Sequence, residues 1–322
     1  MDNNKNRSTV YLYIRGNCGN QFFQYAFARY LQTVFDGDLV INYYYYKEGR
    51  AFGYLPESDN LLSLFKTHEY KYTDQSDFGL IIFKGLKFIQ SVFGLRGFEK
   101  RTYKFYLLCA KILPKFGVYY FDSAYYPFKL YRRRNIYICG YFESSRYFDE
   151  IDDIICSELL PRHEILDKNK DIYSKILVRN SVCVTIKRMD VDNEEIADIY
   201  QYDISYFLRA IDYFKSVIDS PLFCIFSDDV NWCRDNLDLD CDVWFESDAN
   251  PIWEKIRLMS ACKHFIIHNS TFSWWAQHLS RNPDKLVIAP SKWMLRDDQP
   301  IDLYEKGWIY QTPDGMFTDQ HD

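Results

Sequence analysis

Along this chain, short apolar runs that suit strands take turns with longer stretches in which apolar residues recur every three to four positions, as on a helix. The β-rich run Thr9 to Ile14 is broken by Gly16 and Gly19, after which Gln21 to Val34 carries helical spacing and Asp38 to Asn42 returns to a strand. This is a βαβ opening, but RGNCGN lacks the third glycine of the GxGxxG dinucleotide fingerprint. From about Tyr43 to Arg134 the periodicity fades into interleaved Tyr, Phe, Lys and Arg, as in FKGLKF, GFEKRTYKFY and KLYRRR, and a helical or irregular insertion is expected. Order returns with the strand Ile136 to Phe142 and with helical segments between Ser144 and Leu177.

The second half alternates regularly. Strands are expected at Val182 to Lys187, Leu222 to Ser227, Asp242 to Phe245, His264 to His268 and Leu286 to Ala289. Helices are expected at Ile204 to Val217, around Val230 to Leu237, at Ile252 to Cys262 and at Ser273 to Ser280. Strands separated by helices imply a parallel sheet covered on both faces, hence a Rossmann-type domain. PRHE and DKNK interrupt the apolar pattern between Leu160 and Lys170, which divides the chain into an N-terminal βα domain over residues 1–160 and a Rossmann-like domain over 161–322.

Composition narrows the class. A chain of 322 residues exceeds the usual ~100–150-residue single core, so two cores are expected. The net charge of −6 excludes a nucleic-acid binder, which needs a basic face to neutralise phosphates. Any anion must be held locally. The nine cysteines are scattered and contain no CxxC pair, as expected of reduced, mostly buried thiols. MDNNKNRSTV is polar, without an h-region, and no run reaches the roughly 18 apolar residues of a membrane span, so a cytoplasmic protein is expected. The basic and aromatic 43–134 region suits either solvated helix faces over an aromatic core or peripheral contact with a membrane that carries a lipid-linked acceptor.

In a doubly wound sheet, ligands gather at the carboxyl ends of the strands, and three such places are chemically loaded. SVCVTI delivers Lys187, Arg188 and Asp190, two adjacent cations suited to a diphosphate with a carboxylate to orient the second, or equally a surface salt bridge. LFCIFS ends in Ser227, Asp228 and Asp229, whose carboxylates suit the N1 and N2 edge of a guanine or the cap of the next helix. HFIIH ends in Asn269, Ser270, Thr271, Phe272 and Ser273, small hydroxyl residues at a helix N-terminus, where phosphate is commonly cradled. Asp192, Glu194 and Glu195 offer a general base towards an acceptor hydroxyl, or a solvated acidic loop. His264 and His268 bracket a β-rich triplet, so they do not form a helical metal-binding pair.

Together these residues resemble the fucosyltransferases of glycosyltransferase family 11. GNCGNQFFQYAFARYLQ is similar to the family's GGLGNQMFQYAFARAL, ICGYFESSRYF to GYWQSEKYF, and VTIKRMD to VHIRRGD. FCIFSDDVNWCRDNL, IRLMSACKHFIIHNSTFSWWAQHLS and KLVIAPSKWM follow in the family's order. The resemblance implies a GT-B architecture, an α/β fold of two Rossmann-like domains facing across a cleft, with GDP-fucose held chiefly by the C-terminal one. It implies an inverting α-1,2 transfer from GDP-β-L-fucose to a terminal β-galactoside, with no metal and no cofactor beyond the donor.

On the matching positions it assigns the diphosphate to Lys187 and Arg188, phosphate or ribose contacts to Asn269, Ser270, Thr271 and Ser273, the guanine to Asp228, and the acceptor side to Gly19, Asn20 and Gln21. Arg188, Asp190, Asp192 and Glu195 are the candidate catalytic residues. Three positions depart from the family pattern, Thr185 for His, Lys187 for Arg and Met189 for Gly, so Arg188 is expected to carry more of the diphosphate binding.

Overall fold

A computed structural model of the chain describes residues 7–49, 60–95, 99–188, 203–237, 239–247, 249–294 and 301–319. The chain separates into two compact units, Met1–Leu159 with Asp297–Leu303 and Leu160–Arg296 with Tyr304–Asp322. The division is not a single cut, because a short segment near the C-terminus returns to the first unit. There Asp302 accepts a hydrogen bond from the Ser144 hydroxyl and lies 3.6 Å from Arg146.

The first unit is built on a five-stranded parallel sheet. Its strands are β1 (Thr9–Tyr13), β2 (Asp38–Asn42), β3 (Lys71–Thr73), β4 (Val118–Phe121) and β5 (Asn135–Gly140), in the order β3-β2-β1-β5-β4. The helix after β1, α1 (Cys18–Phe35), begins three residues earlier than apolar spacing indicates and buries almost all of its aromatic side chains. It ends where Asp36 adopts a left-handed backbone (φ 47°) whose N–H caps the Gln32 and Thr33 carbonyls.

The 43–134 stretch is more regular than its sequence suggests. It holds α2 (Tyr44–Gly49), α3 (Phe78–Val92) and α4 (Lys100–Ile112) as well as two of the five strands. All four residues of β4, VYYF, are buried, so it shows none of the apolar-polar alternation that marks a half-buried strand. Alternation survives in space. Tyr119 and Phe121 pack on Phe27 of α1 with centroids 5.8 and 6.4 Å apart, whereas Tyr120 turns to Phe83 of α3 and Tyr106 of α4 at 5.8 and 5.7 Å. Helices α3 and α4 therefore form one layer on the face opposite α1. A last helix, α5 (Asp152–Glu158), closes the unit, its Glu158 held by Arg29 at 3.0 Å and by the Tyr25 hydroxyl.

The second unit follows its expected alternation closely. Its strands are β6 (Ser181–Ile186), β7 (Leu222–Ser227), β8 (Val243–Phe245), β9 (His264–Ile266), β10 (Val287–Pro290), β11 (Ile309–Gln311) and β12 (Phe317–Thr318), in the order β12-β11-β10-β9-β6-β7-β8. Only β12 is antiparallel. Counted from β6, the parallel strands run 3-2-1-4-5-6, the doubly wound Rossmann order. The helices are α6 (Lys170–Val178), α7 (Ile204–Val217), α8 (Val230–Asn236), α9 (Ile252–Ala261) and α10 (Thr271–Leu279).

The core packs Tyr206, Phe207, Ile211 and Phe214 of α7 against Val182, Val184, Phe223, Ile225 and Ile266 of the sheet. Each such fully buried side chain contributes roughly 1.5–3 kcal/mol. The two short strands β11 and β12 lay outside the expected alternation, being too short for any period to register. Two sheets of Rossmann type meet the α/β, GT-B expectation for the fold class.

Candidate active site

A Rossmann sheet opens a crevice where its strand order reverses. In the second unit that point lies between β6 and β9, since the chain winds from β6 through β7 to β8 on one side and from β9 through β10 to β11 on the other. Lys187 and Arg188 leave β6 there, Asp228 leaves the adjacent β7, and His268, Asn269 and Ser270 leave β9.

Arg188 is fixed from three directions. Its backbone N–H donates to Asp228 Oδ1 at 2.6 Å, its guanidinium carbon lies 3.8 Å from the centre of the Trp232 ring, and its strand is wholly buried. Among the described residues, no hydrogen-bond partner meets the buried Arg188 Nε. A guanidinium held over an aromatic ring with such a donor is chemically suited to an anion.

The two neighbouring aspartates divide the alternatives between them. Asp229 caps α8, accepting from the Trp232 N–H at 2.9 Å, whereas Asp228 is turned towards the Arg188 backbone. Ser227 ties them together by accepting from the Asp229 N–H at 3.0 Å.

On the other side of the reversal, Thr185 joins β6 to β9. Its hydroxyl accepts from the His268 N–H at 3.1 Å and donates to the Ile266 carbonyl at 3.4 Å. The hydroxyl of this buried residue is thus taken up in tying the two strands together. His268 is buried, and burial, helped by the charge of Lys187, lowers its imidazole to about 3. It is neutral at physiological pH. His264, the other histidine, accepts from the Leu286 N–H at 3.1 Å through Nδ1, within the sheet.

The NSTFSWW segment splits into two parts. Trp274 and Trp275 are buried completely, and Trp274 stacks on His278 at 4.4 Å. The Asn269 side-chain amide donates to the Trp293 carbonyl at 2.8 Å, fixing the loop. Ser270 is the N-cap residue of α10 and makes no side-chain cap bond, while its carbonyl accepts from the Trp274 N–H at 2.9 Å. The amides of Thr271, Phe272 and Ser273 form the first turn, whose N–H groups a helix leaves without internal acceptors. Asp190, Asp192, Glu194 and Glu195 lie outside the described residues.

The first unit carries a second polar cluster at the carboxyl end of its own sheet, whose order reverses between β1 and β5. Arg15 follows β1, Asp122 follows β4, and Glu143 follows β5. The guanidinium of Arg15 lies 3.8 Å from Asp122 Oδ1 and over the Tyr141 ring at 4.4 Å. Its backbone is clamped by Gln24, which accepts from the Arg15 N–H at 3.0 Å and donates to the Arg15 carbonyl at 2.7 Å. Asp122 also accepts from the Tyr106 hydroxyl at 3.1 Å, and burial raises its carboxyl. Burial, reinforced by the Asp122 charge, raises Glu143 to about 8 against the pull of Ser123 and Arg15.

Gly19, Asn20 and Gln21 form the first turn of α1 below this cluster. Gly19 and Gln21 are buried and Asn20 half-buried; the Gln21 amide nitrogen donates to the Tyr46 hydroxyl at 2.7 Å and to the Gly16 carbonyl at 3.3 Å. Gly16 has φ +79°, a left-handed backbone that any side chain would strain, and an added Cβ would fall 2.6 Å from Asn20 Nδ2, which would have to move.

Sequence reasoning missed Trp232, because its contact with Arg188 joins segments that no spacing links. It also missed the Arg15, Asp122 and Glu143 cluster. A search just past each strand would have found Glu143, but Asp122 stayed hidden because VYYF does not alternate.

Residues 118–312 match the model of glycosyl transferase family 11. The α-1,2-colitosyltransferase of Escherichia coli is 30% identical over 200 residues, covering 59% of this chain and 68% of that protein. Human galactoside α-(1,2)-fucosyltransferase 1 is 34% identical over 115 residues, 33% of this chain and 31% of its own length. The fucosyltransferase NodZ from Bradyrhizobium shares the fold at 12% identity, with a TM-score of 0.53 over 84% of this chain and 92% of that one.

Proposed function

We propose, from the premise that the chain belongs to glycosyl transferase family 11, that it moves L-fucose from GDP-β-L-fucose to the 2-hydroxyl of a terminal β-galactoside, with inversion at the transferred carbon. The observation that carries the reading is Arg188, a cation fixed over Trp232 at the reversal of the Rossmann sheet with one donor still unanswered among the described residues. As the acceptor hydroxyl approaches the sugar, negative charge builds on the departing diphosphate. Arg188, Lys187 and the first-turn amides of α10 are the groups that stabilise it. Asn269, Ser270, Thr271 and Ser273 contribute phosphate or ribose contacts, and Asp228 sets the Arg188 backbone as well as bordering the guanine. Gly19, Asn20 and Gln21 shape the acceptor side.

Asp190 orients Arg188, and Asp192 or Glu195 takes the acceptor proton. If Asp192→Asn and Glu195→Gln each keep most activity across a pH series, no base from this loop operates. The leaving group is neutralised by protein cations, so no metal is required and activity should be unchanged by a chelator. Activity lost to chelation and restored by a divalent cation would overturn that statement.

A second donor sugar is supported by the E. coli colitosyltransferase, whose name specifies the same α-1,2 linkage. Colitose is fucose without one ring hydroxyl, so both sugars place the same demand on the diphosphate site. Competition between the two GDP sugars in one assay decides between them, and preference for the colitose donor would displace fucose.

A further inference from the structure

Helix α3 is apolar on both sides. Leu80 and Phe83 are buried towards the sheet, yet Phe78, Ile81, Phe88 and Val92 are 65, 66, 70 and 63% exposed. Their spacing of three, seven and four residues, with Gly85 between, draws one straight stripe down the outer face. Phe93 continues it at the C-terminus. On α4 the outward residues Arg101, Lys104, Leu108, Lys111 and Ile112 follow the same rule, and Phe116 is exposed just beyond.

Both helices turn their inner faces to Tyr120, so their outer faces look the same way. Such an apolar surface is unusual on a lone soluble chain.

Charge identifies what covers it. Residues 78–134 hold twelve lysines and arginines against two carboxylates, in a chain whose net charge is −6. Lys87, Lys100, Arg101, Lys104, Lys111 and Lys115 are all exposed on or beside these helices. A second copy of the face would bring like charges together. Long basic side chains flanking an exposed Phe, Ile and Val stripe match a bilayer interface, where the stems lie on apolar surface and the charges reach anionic headgroups. No helix among the described residues is long and apolar enough to cross a membrane, so the helices would lie on the bilayer and not span it.

We propose that the outer face of α3 and α4 is a docking surface for an anionic lipid bilayer, entered by Phe78, Ile81, Phe88 and Val92 and held by the flanking lysines and Arg101. This goes beyond the transfer reaction and does not depend on it. It provides a place for a lipid-borne acceptor but requires no particular sugar.

The test is co-sedimentation of the full chain with phosphatidylcholine vesicles, with and without phosphatidylglycerol. The wild type should pellet with the anionic vesicles only, and less as salt rises. The variant Ile81→Ser with Phe88→Ser and Val92→Ser should lose at least about tenfold in partitioning, because several buried methylenes are removed. The variant Lys87→Glu with Lys104→Glu and Lys111→Glu should lose at least about tenfold and shed the salt dependence. All six positions are exposed, and thermal unfolding checks that both variants fold.

Failure of the wild type to bind anionic vesicles overturns the proposal, as does wild-type binding by the serine variant. A lipid-free dimer that the serine variant abolishes would also overturn it, assigning the face to self-association instead.

Discussion

The two sheets reverse their strand order in the same place, beside the first strand of each unit, yet what is delivered there differs in kind. In the second unit Lys187 and Arg188 leave β6 at the crevice, with Asp228 turned to a backbone N–H and Asp229 taken up by the cap of α8. In the first unit one guanidinium, Arg15, faces two carboxyl groups, the half-buried Asp122 and the buried Glu143. Topology supplies a crevice in both cases, and the few residues after each strand decide which charges are delivered to it.

The sharpest way to break this comparison is to remove each arginine in turn. Arg188→Ala should lower kcat by roughly 10²–10³-fold, the loss typical of one preorganised electrostatic donor. Arg15→Ala should leave GDP-sugar affinity unchanged by titration calorimetry and act on the acceptor KM. Equal effects of the two variants on donor binding would erase the distinction.

Trp232→Ala removes the ring beneath the guanidinium, a contact of about 0.5–2 kcal/mol, so turnover should fall by roughly 2- to 30-fold. Trp232→Phe, which keeps an aromatic face, should recover most of it. Steady-state kinetics on the pair separates a held guanidinium from a merely buried one.

The buried acids and bases give opposite pH signatures. Glu143 is raised from 4.5 to about 8 in the fold, so its contribution to stability is complete below the ordinary carboxylate value and is lost as pH rises through about 8. His268 is lowered from 6.5 to about 3, so its contribution is complete above 6.5 and is lost as pH falls towards 3. Glu143→Gln should abolish the alkaline loss and keep the acid one in urea unfolding. An unchanged alkaline slope in that variant would remove Glu143 from the account.

The smallest effect belongs to Asp228. Asp228→Asn keeps an oxygen for the Arg188 N–H and should change turnover little, while Asp228→Ala forfeits a bond of about 0.5–1.5 kcal/mol and should cost a few-fold more. Kinetics of the two variants side by side decide whether positioning or charge is its role.

Much of the second unit was legible beforehand because each of its strands is a compact β-rich run, LFCIFS being the clearest, set between helices of firm amphipathic period. Helix α7 and strand β7 fall on their expected boundaries. The first unit was harder, since β4 is buried on both faces and α3 is apolar on both sides, which cancels the very contrast that periodicity detects.

At the site, Lys187, Arg188 and the residues after HFIIH stood out by charge and by hydroxyl content. The partition of Asp228 from Asp229 did not, because either residue can cap a helix and only the backbone path decides which does. Trp274 and Trp275 fall in the helix expected from Ser273 to Ser280 and prove to be core, while that helix begins two residues earlier, at Thr271.

The most direct test of the central claim is GDP release from GDP-fucose with and without a terminal β-galactoside, followed by methylation analysis of the product. Release that depends on the galactoside, with fucose joined at its 2-position, is the predicted result. Galactoside-independent release, or fucose joined at another hydroxyl, would contradict it.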